Sequence, residues 1–103
     1  MDKQIILSQL RDAIKENFWQ FLGDTPEDPI VDSIVRRSTY LAEDDPGGWA
    51  PRAVCVVHTE SGLPNGAYDW RIEDLWFKVS DSLPIYHEPV NGAVIAWYPK
   101  YFE

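Results

Sequence analysis

Cys55-x-x-His58 has the spacing of a metal-ligand pair, and His87 with Glu88 would be the natural further donors. The residue types fit zinc, but the surroundings do not. Ala53 to Val57 (AVCVV) reads as a strand, and a three-residue step along a strand sends Cys55 and His58 to opposite faces. One cysteine and two histidines in the whole chain leave too few soft ligands for a closed site, so no metal and no cofactor are expected. Cys55, flanked by Val54 and Val56, is better explained as a small core hydrophobe, and as the only cysteine it forms no internal disulfide.

Nucleophilic catalysis requires a nucleophile, a base and an orienting group held together in a cleft. Ser61 and Ser80 lack the G-x-S-x-G turn that presents a serine above a sheet. Cys55, His87 and an acid form a triad only on paper. Acid pairs recur at Glu27-Asp28, Glu43-Asp44-Asp45 and Glu73-Asp74, but none has the spacing of a calcium loop. Asp28 and Asp32 suit the first turn of a helix, where acids complement the dipole. Gly47-Gly48 is set among acids that would repel a phosphate. No catalytic set emerges, and the chain is expected not to be an enzyme.

A different chemistry fits better, that of protein contact. Trp49 interrupts the loop Glu43–Pro51 (EDDPGGWAP), and Trp70 and Trp76 lie in the aromatic run YDWRIEDLWFKV at 68–79. Tryptophans on a surface are favoured anchors at protein interfaces, and neighbouring acids steer a basic partner. The candidate partner-binding residues are therefore Trp49, Trp70 and Trp76 as anchors, with Glu43, Asp44, Asp45, Glu73 and Asp74 as steering charges.

Composition agrees with that reading and excludes others. Seventeen acids against nine bases give a net charge of −8, which opposes binding to nucleic-acid phosphates and to anionic membranes. Acid arrays that mimic nucleic acid are also disfavoured, because Arg36-Arg37, Arg52 and Arg71 interrupt the series. Nothing after Met1 resembles an apolar leader, and no run approaches the ~18 apolar residues of a membrane span, so a cytoplasmic location is expected. A length of 103 residues, 45% hydrophobic and 14% aromatic, is enough for one domain (1–103) with its own core, despite eight prolines. Nine of the fourteen aromatics lie between Tyr68 and Phe102, so most large buried area comes from the C-terminal third.

The elements that must position these residues follow from periodicity. Residues 3–22 place Ile6, Leu10, Ile14 and Phe18 at three- and four-residue steps, with Asp2 as N-cap and Gly23 as stop: a helix. Gly23 to Pro29 is a connector. Asp28-Pro29 opens a second helix over 29–42, although its β-branched residues leave a strand at 34–41 as the competing assignment. Continuous apolar runs predict strands at 52–59 and 93–99, each buried on both faces. Asn65-Gly66 predicts a turn, so that 52–79 forms a hairpin whose second strand is 67–79. That strand changes phase at Glu73-Asp74, where a β-bulge would restore a common face. Ser80 to Pro89 reads as irregular, Asn91-Gly92 as a second turn, and the Tyr101-Phe102 pair as a docked tail.

Trp76, Val79, Leu83 and Pro84, followed by Val94, Trp97 and Pro99, form a W-x-x-V-x-x-x-L-P opening and a V-x-x-W-x-P close. This resembles the ends of a small phage-associated family of unknown function. The likeness spans less than a third of the chain, with a shorter interval between the motifs, and it implies no site residue.

The expected architecture is α+β: an N-terminal helix and a second helix packed on a small antiparallel sheet of about three strands. A sheet apolar on both faces needs a cover on each. The second face falls to the second helix, to loop 43–51 or to a second copy of the chain, and whatever stays open is an interaction site. The expected function is that of a small acidic protein-interaction module of the inhibitor, immunity or phage-accessory type, meeting a partner with a basic surface. A small-molecule-binding domain with an aromatic pocket between helix and sheet is the alternative.

Overall fold

A computed structural model describes the backbone of residues 2–21, 28–59, 70–91 and 93–100, and their side chains except at 18–21, 28 and 70–73. The fold is α+β. Helix α1 (Lys3–Phe21) and helix α2 (Asp28–Ser38) lead into strand β1 (Thr39–Leu41) and a short 3-10 turn (Ala42–Asp44). Strand β2 (Cys55–His58), helix α3 (Trp70–Asp81), strand β3 (Ile85–Pro89) and strand β4 (Val94–Pro99) complete it. The sheet is antiparallel throughout, in the order β1-β2-β4-β3.

Helix α1 forms as its spacing predicts. The Asp2 carboxylate accepts the backbone N–H of Gln4 at 2.9 Å and of Ile5 at 3.4 Å, satisfying two donors that an N-terminus leaves open. Ile6, Leu7, Leu10, Ala13 and Ile14 form its buried face. Arg11 crosses to β1, donating to the Thr39 hydroxyl at 2.7 Å and to its carbonyl at 3.1 Å.

The segment predicted as one helix over 29–42 is divided. Val31 and Val35 bury a helical face as far as Ser38, and then Thr39–Leu41 becomes a strand paired with Cys55–Val57. Both assignments are therefore right in part. Ser38 and Thr39 turn their hydroxyls back onto the carbonyls of Ile34 and Val35, a contact that competes with continued helix and marks its end.

Residues 70–79, predicted as strand, form helix α3 instead, and no bulge exists at Glu73-Asp74. The change of phase there is helical periodicity. Leu75, Trp76, Val79 and Ser80 recur at steps of one, three and one and are all buried, whereas Asp74, Phe77, Lys78 and Asp81 are exposed. Strand propensity in Trp, Phe and Val obscured the pattern because such propensity mostly reflects burial. The 52–79 hairpin consequently does not form: β2 pairs with β1 and β4. The predicted turn at Asn65-Gly66, strand residues 67–69, the connector at 22–27 and the Tyr101-Phe102 tail lie outside the described residues.

The stretch containing Pro84 and Pro89, predicted as irregular, contributes β3. This is an edge strand, bounded by the two prolines, and there a missing N–H costs no ladder bond. The two continuous apolar runs became the central strands β2 and β4, as expected of strands covered on both faces.

One face carries the helices. Leu41, Cys55, Val57, Ile85, Ile95 and Trp97 meet residues of all three helices in the larger core. Trp76 and Trp97, both fully buried, pack edge to face with centroids 6.0 Å apart. The other face is covered in part by the chain between β1 and β2, where Ala42, Ala50 and Ala53 pack on Val56, Val94 and Ala96. Of the two covers expected from within the chain, the second helix packs on the first face and the loop on this one. Its small residues close the sheet thinly and leave the aromatic side chains around them accessible.

Candidate functional site: the acidic loop and the open sheet face

Loop 42–54 is organised by one carboxylate. Asp45 Oδ1 accepts the N–H of Gly47 at 3.1 Å and lies 2.7 Å from His58 Nε2 on β2. Its Oδ2 accepts the N–H of Trp49 at 3.2 Å. A carboxylate is acceptor-only, so the contact with His58 requires a hydrogen on Nε2. Burial opposes ionisation of Asp45, but the Gly47 N–H, His58 and the Trp49 N–H outweigh it and hold the carboxyl below its ordinary value. The bond to His58 pins the loop to the sheet, and the bonds to Gly47 and Trp49 set its curvature.

Two glycines then place Trp49. Gly48 has φ +59°, a left-handed conformation that favours glycine. At Gly47 the pyrrole edge of Trp49 lies so close to the Cα that a side-chain carbon there would overlap the ring. Trp49 is 55% exposed, yet its backbone is hydrogen-bonded and its ring rests on a neighbour. It does not fold into the core.

Between the Trp49 ring and the end of the sheet is an open cleft of about 270 Å³, bordered by His58, Asn91, Ala93 and Val94. Asn91 caps the turn before β4 by accepting the N–H groups of Ala93 (2.8 Å) and Val94 (3.0 Å), which matches the turn expected there. Tyr40 meets the His58 ring edge-on at 5.3 Å. Further across the same face, Tyr86 and Tyr98 stack at 5.7 Å, opposite each other in the β3–β4 register. Tyr86 and the neighbouring Glu88 are exposed.

The candidate residues separate accordingly. Trp49, Glu43 and Asp44 are exposed on the loop. Asp45 is not a steering charge: its side chain is fully buried, spent on the loop's own N–H groups and His58. Trp76 is not a surface anchor either. It is 0% exposed, because α3 turns it inward onto Trp97. Asp74 is exposed, but on the helical layer, away from the loop. Trp70 and Glu73 belong to α3, and their side chains lie outside the described residues. Sequence reasoning missed His58, Tyr40, Tyr86, Tyr98 and Asn91 as parts of one face. Alternation along β2 and β4 groups 56 with 58 and 94, 96 with 98, but the register that joins the two sets is tertiary.

The candidates for metal and nucleophilic chemistry are also placed. Cys55 and His58 do face opposite sides of the sheet, Cys55 in the helical core and His58 beside the loop. Burial pushes the Cys55 thiol up to about 12, far from the range of a reactive thiolate. Ser80 Oγ lies 3.0 Å from His87 Nδ1, but Ser80 is buried at the end of α3, and His87 is packed against Phe77 and Trp97. That contact joins α3 to β3. On the helical layer, Lys15 and Arg36 share Asp32 at 3.8 and 2.9 Å, both in partly exposed positions. Among the described residues no helix is long and apolar enough to cross a membrane. Comparison of the chain with known protein families, with curated proteins and with solved structures finds no match, so the partial likeness to a phage-associated family carries no argument.

Proposed function

We propose that this chain is a small acidic protein-interaction module. It docks a partner with a basic surface on loop 42–54 and the open sheet face, acting by occlusion in the manner of an inhibitor, immunity or phage-accessory protein in the cytoplasm. The observation that carries this reading is Trp49. A large aromatic held 55% exposed by a hydrogen-bonded loop forfeits burial that folding alone would favour. It also loses little conformational freedom on meeting a partner, which is what makes an anchor effective. Tyr86 and Tyr98 extend the apolar contact, and Glu43, Asp44 and Glu88 border it with negative charge. Charge at such a border accelerates encounter and gives salt sensitivity more than it adds affinity.

The alternative, a small-molecule pocket between helix and sheet, has less support: Trp76 and Trp97 meet edge to face within that layer. Self-association through the open face remains an outcome that light scattering would reveal.

The test is to identify the partner by affinity purification from the native host and then to measure binding with purified components. Trp49→Ala and Tyr86→Ala should each weaken binding by about ten-fold or more, the scale of an interface anchor. Phe77→Ala, an equally exposed aromatic on the helical layer, should leave it unchanged. The reading is wrong if Phe77→Ala weakens binding and the two sheet-face variants do not.

A further inference from the structure

The cleft beside Trp49 is a formed feature of the loop and not a gap between mobile side chains. Asp45 holds the backbone of its outer wall and the His58 ring of its inner wall through the same carboxylate. Asn91 is fixed by its two bonds to the β4 turn. At about 270 Å³ the cleft is below the ~300–1,000 Å³ of pockets that engulf a small-molecule ligand, and it is open on one side. Its size suits one inserted side chain.

Its chemistry narrows which one. Trp49 borders the cleft, and an indole ring attracts cations over its face. Behind His58 stands the Asp45 carboxylate. His58 gives its Nε2–H to that carboxylate, so the pair carries no net positive charge that would oppose a cation. No lysine or arginine is among the described residues lining the cleft, and Glu43 and Asp44 are exposed on the same loop. An aliphatic side chain would cut off the His58 ring and the Asn91 amide from water without compensation, and an acidic one would approach the like charges of Glu43 and Asp44. Asn91 Oδ1 is occupied, which leaves its amide N–H groups to meet a carbonyl of the inserted segment.

We propose that the cleft bounded by Trp49, His58 and Asn91 is a subsite for one cationic side chain, arginine foremost, projecting from the basic surface of the partner. Arginine is favoured over lysine because its planar guanidinium stacks on an aromatic face while its edge donates hydrogen bonds. The inference rests on the proposed interaction function and adds the chemistry that would select the partner.

The experiment uses the intact chain and two probes of the same shape, Nα-acetyl-arginine N-methylamide and its uncharged citrulline counterpart, followed by ¹H–¹⁵N NMR. The arginine probe should give saturable shifts of the Trp49 indole N–H and the Asn91 side-chain amide, and the citrulline probe should bind about ten-fold more weakly. Trp49→Ala should abolish the effect. So should Gly47→Ala, which retains the indole but forces it off its resting place. Equal binding of both probes overturns the proposal. So does the absence of saturable shifts, and so do shifts that persist in both variants, which would mark general attraction to an acidic surface. A negative result here leaves the partner-binding test of Trp49 and Tyr86 standing, because that test does not depend on which side chain enters the cleft.

Discussion

Asp45→Ala is the perturbation that tests the organisation of the loop most directly. In the folded chain the carboxylate has three partners, at 2.7, 3.1 and 3.2 Å. A hydrogen bond to a charged group contributes about 1.5–3 kcal/mol, but removing this one acceptor does not cost three times that amount. Gly47 and Trp49 are exposed, and their N–H groups would turn to water. His58 is only 22% exposed and cannot fully do so. The net expectation is a loss of about 2–3 kcal/mol. For a domain of this size each kcal/mol corresponds to roughly 4–8 °C, so the midpoint should fall by about 10–20 °C. Asp45→Asn should lose much of the same stability, since one amide oxygen cannot serve all three donors and the NH₂ group opposes one of them.

The pH dependence supplies the sharper check. Asp45 has its pKa lowered in the fold, so it binds its proton more readily when unfolded, and its contribution is present above the unfolded value near 3.8. As pH falls below that and through the lower folded value, the contribution is lost. Urea unfolding of wild type and Asp45→Ala from pH 5 to pH 2.5 should therefore show a gap that closes below about pH 4. A difference under about 0.5 kcal/mol at pH 5, or a gap that widens in acid, would refute the role assigned to this carboxylate.

Two further outcomes concern the core. Trp76→Ala should cost about 3–5 kcal/mol in urea unfolding, because it empties the centre of the helical layer against Trp97; a loss below 1 kcal/mol would place Trp76 at the surface after all. Cys55, fully buried with its thiol pushed up to about 12, should react with an aromatic disulfide reagent at pH 8 only as fast as the fold opens, and labelling at the rate of a free thiol would contradict its placement.

Several elements were legible because their signals are local. The α1 cap needs only Asp2 and the amides after it, and its buried face needs only spacing along one helix. The runs AVCVV and AVIAWY declared strands without a polar face, and they occupy the centre of the sheet. Helix α3 was equally local but was misread. Leu75, Trp76 and Val79 fit the helical period, and the preference of aromatic and β-branched residues for strands outweighed it. The error displaced Trp76 from the core to the surface and so removed the wrong residue from the folded interior.

Composition and local pattern by themselves determined an acidic α+β chain whose two most apolar strands need cover on both faces, and a Trp-bearing acidic loop beside them. Those properties depend on residues a few positions apart. Only the tertiary structure decided which cover each face receives, that Asp45 serves the loop and not a partner, and that Trp49 stands beside His58 and Asn91. Asp45 and His58, thirteen residues apart, meet because the loop folds back over β2, and Trp49 and Asn91, forty-two apart, border one cleft because β2 and β4 are adjacent in one register. Such contacts arise from the closure of the whole core, in which the apolar faces of α1, α2 and α3 all compete for one side of the sheet and leave the other to a loop.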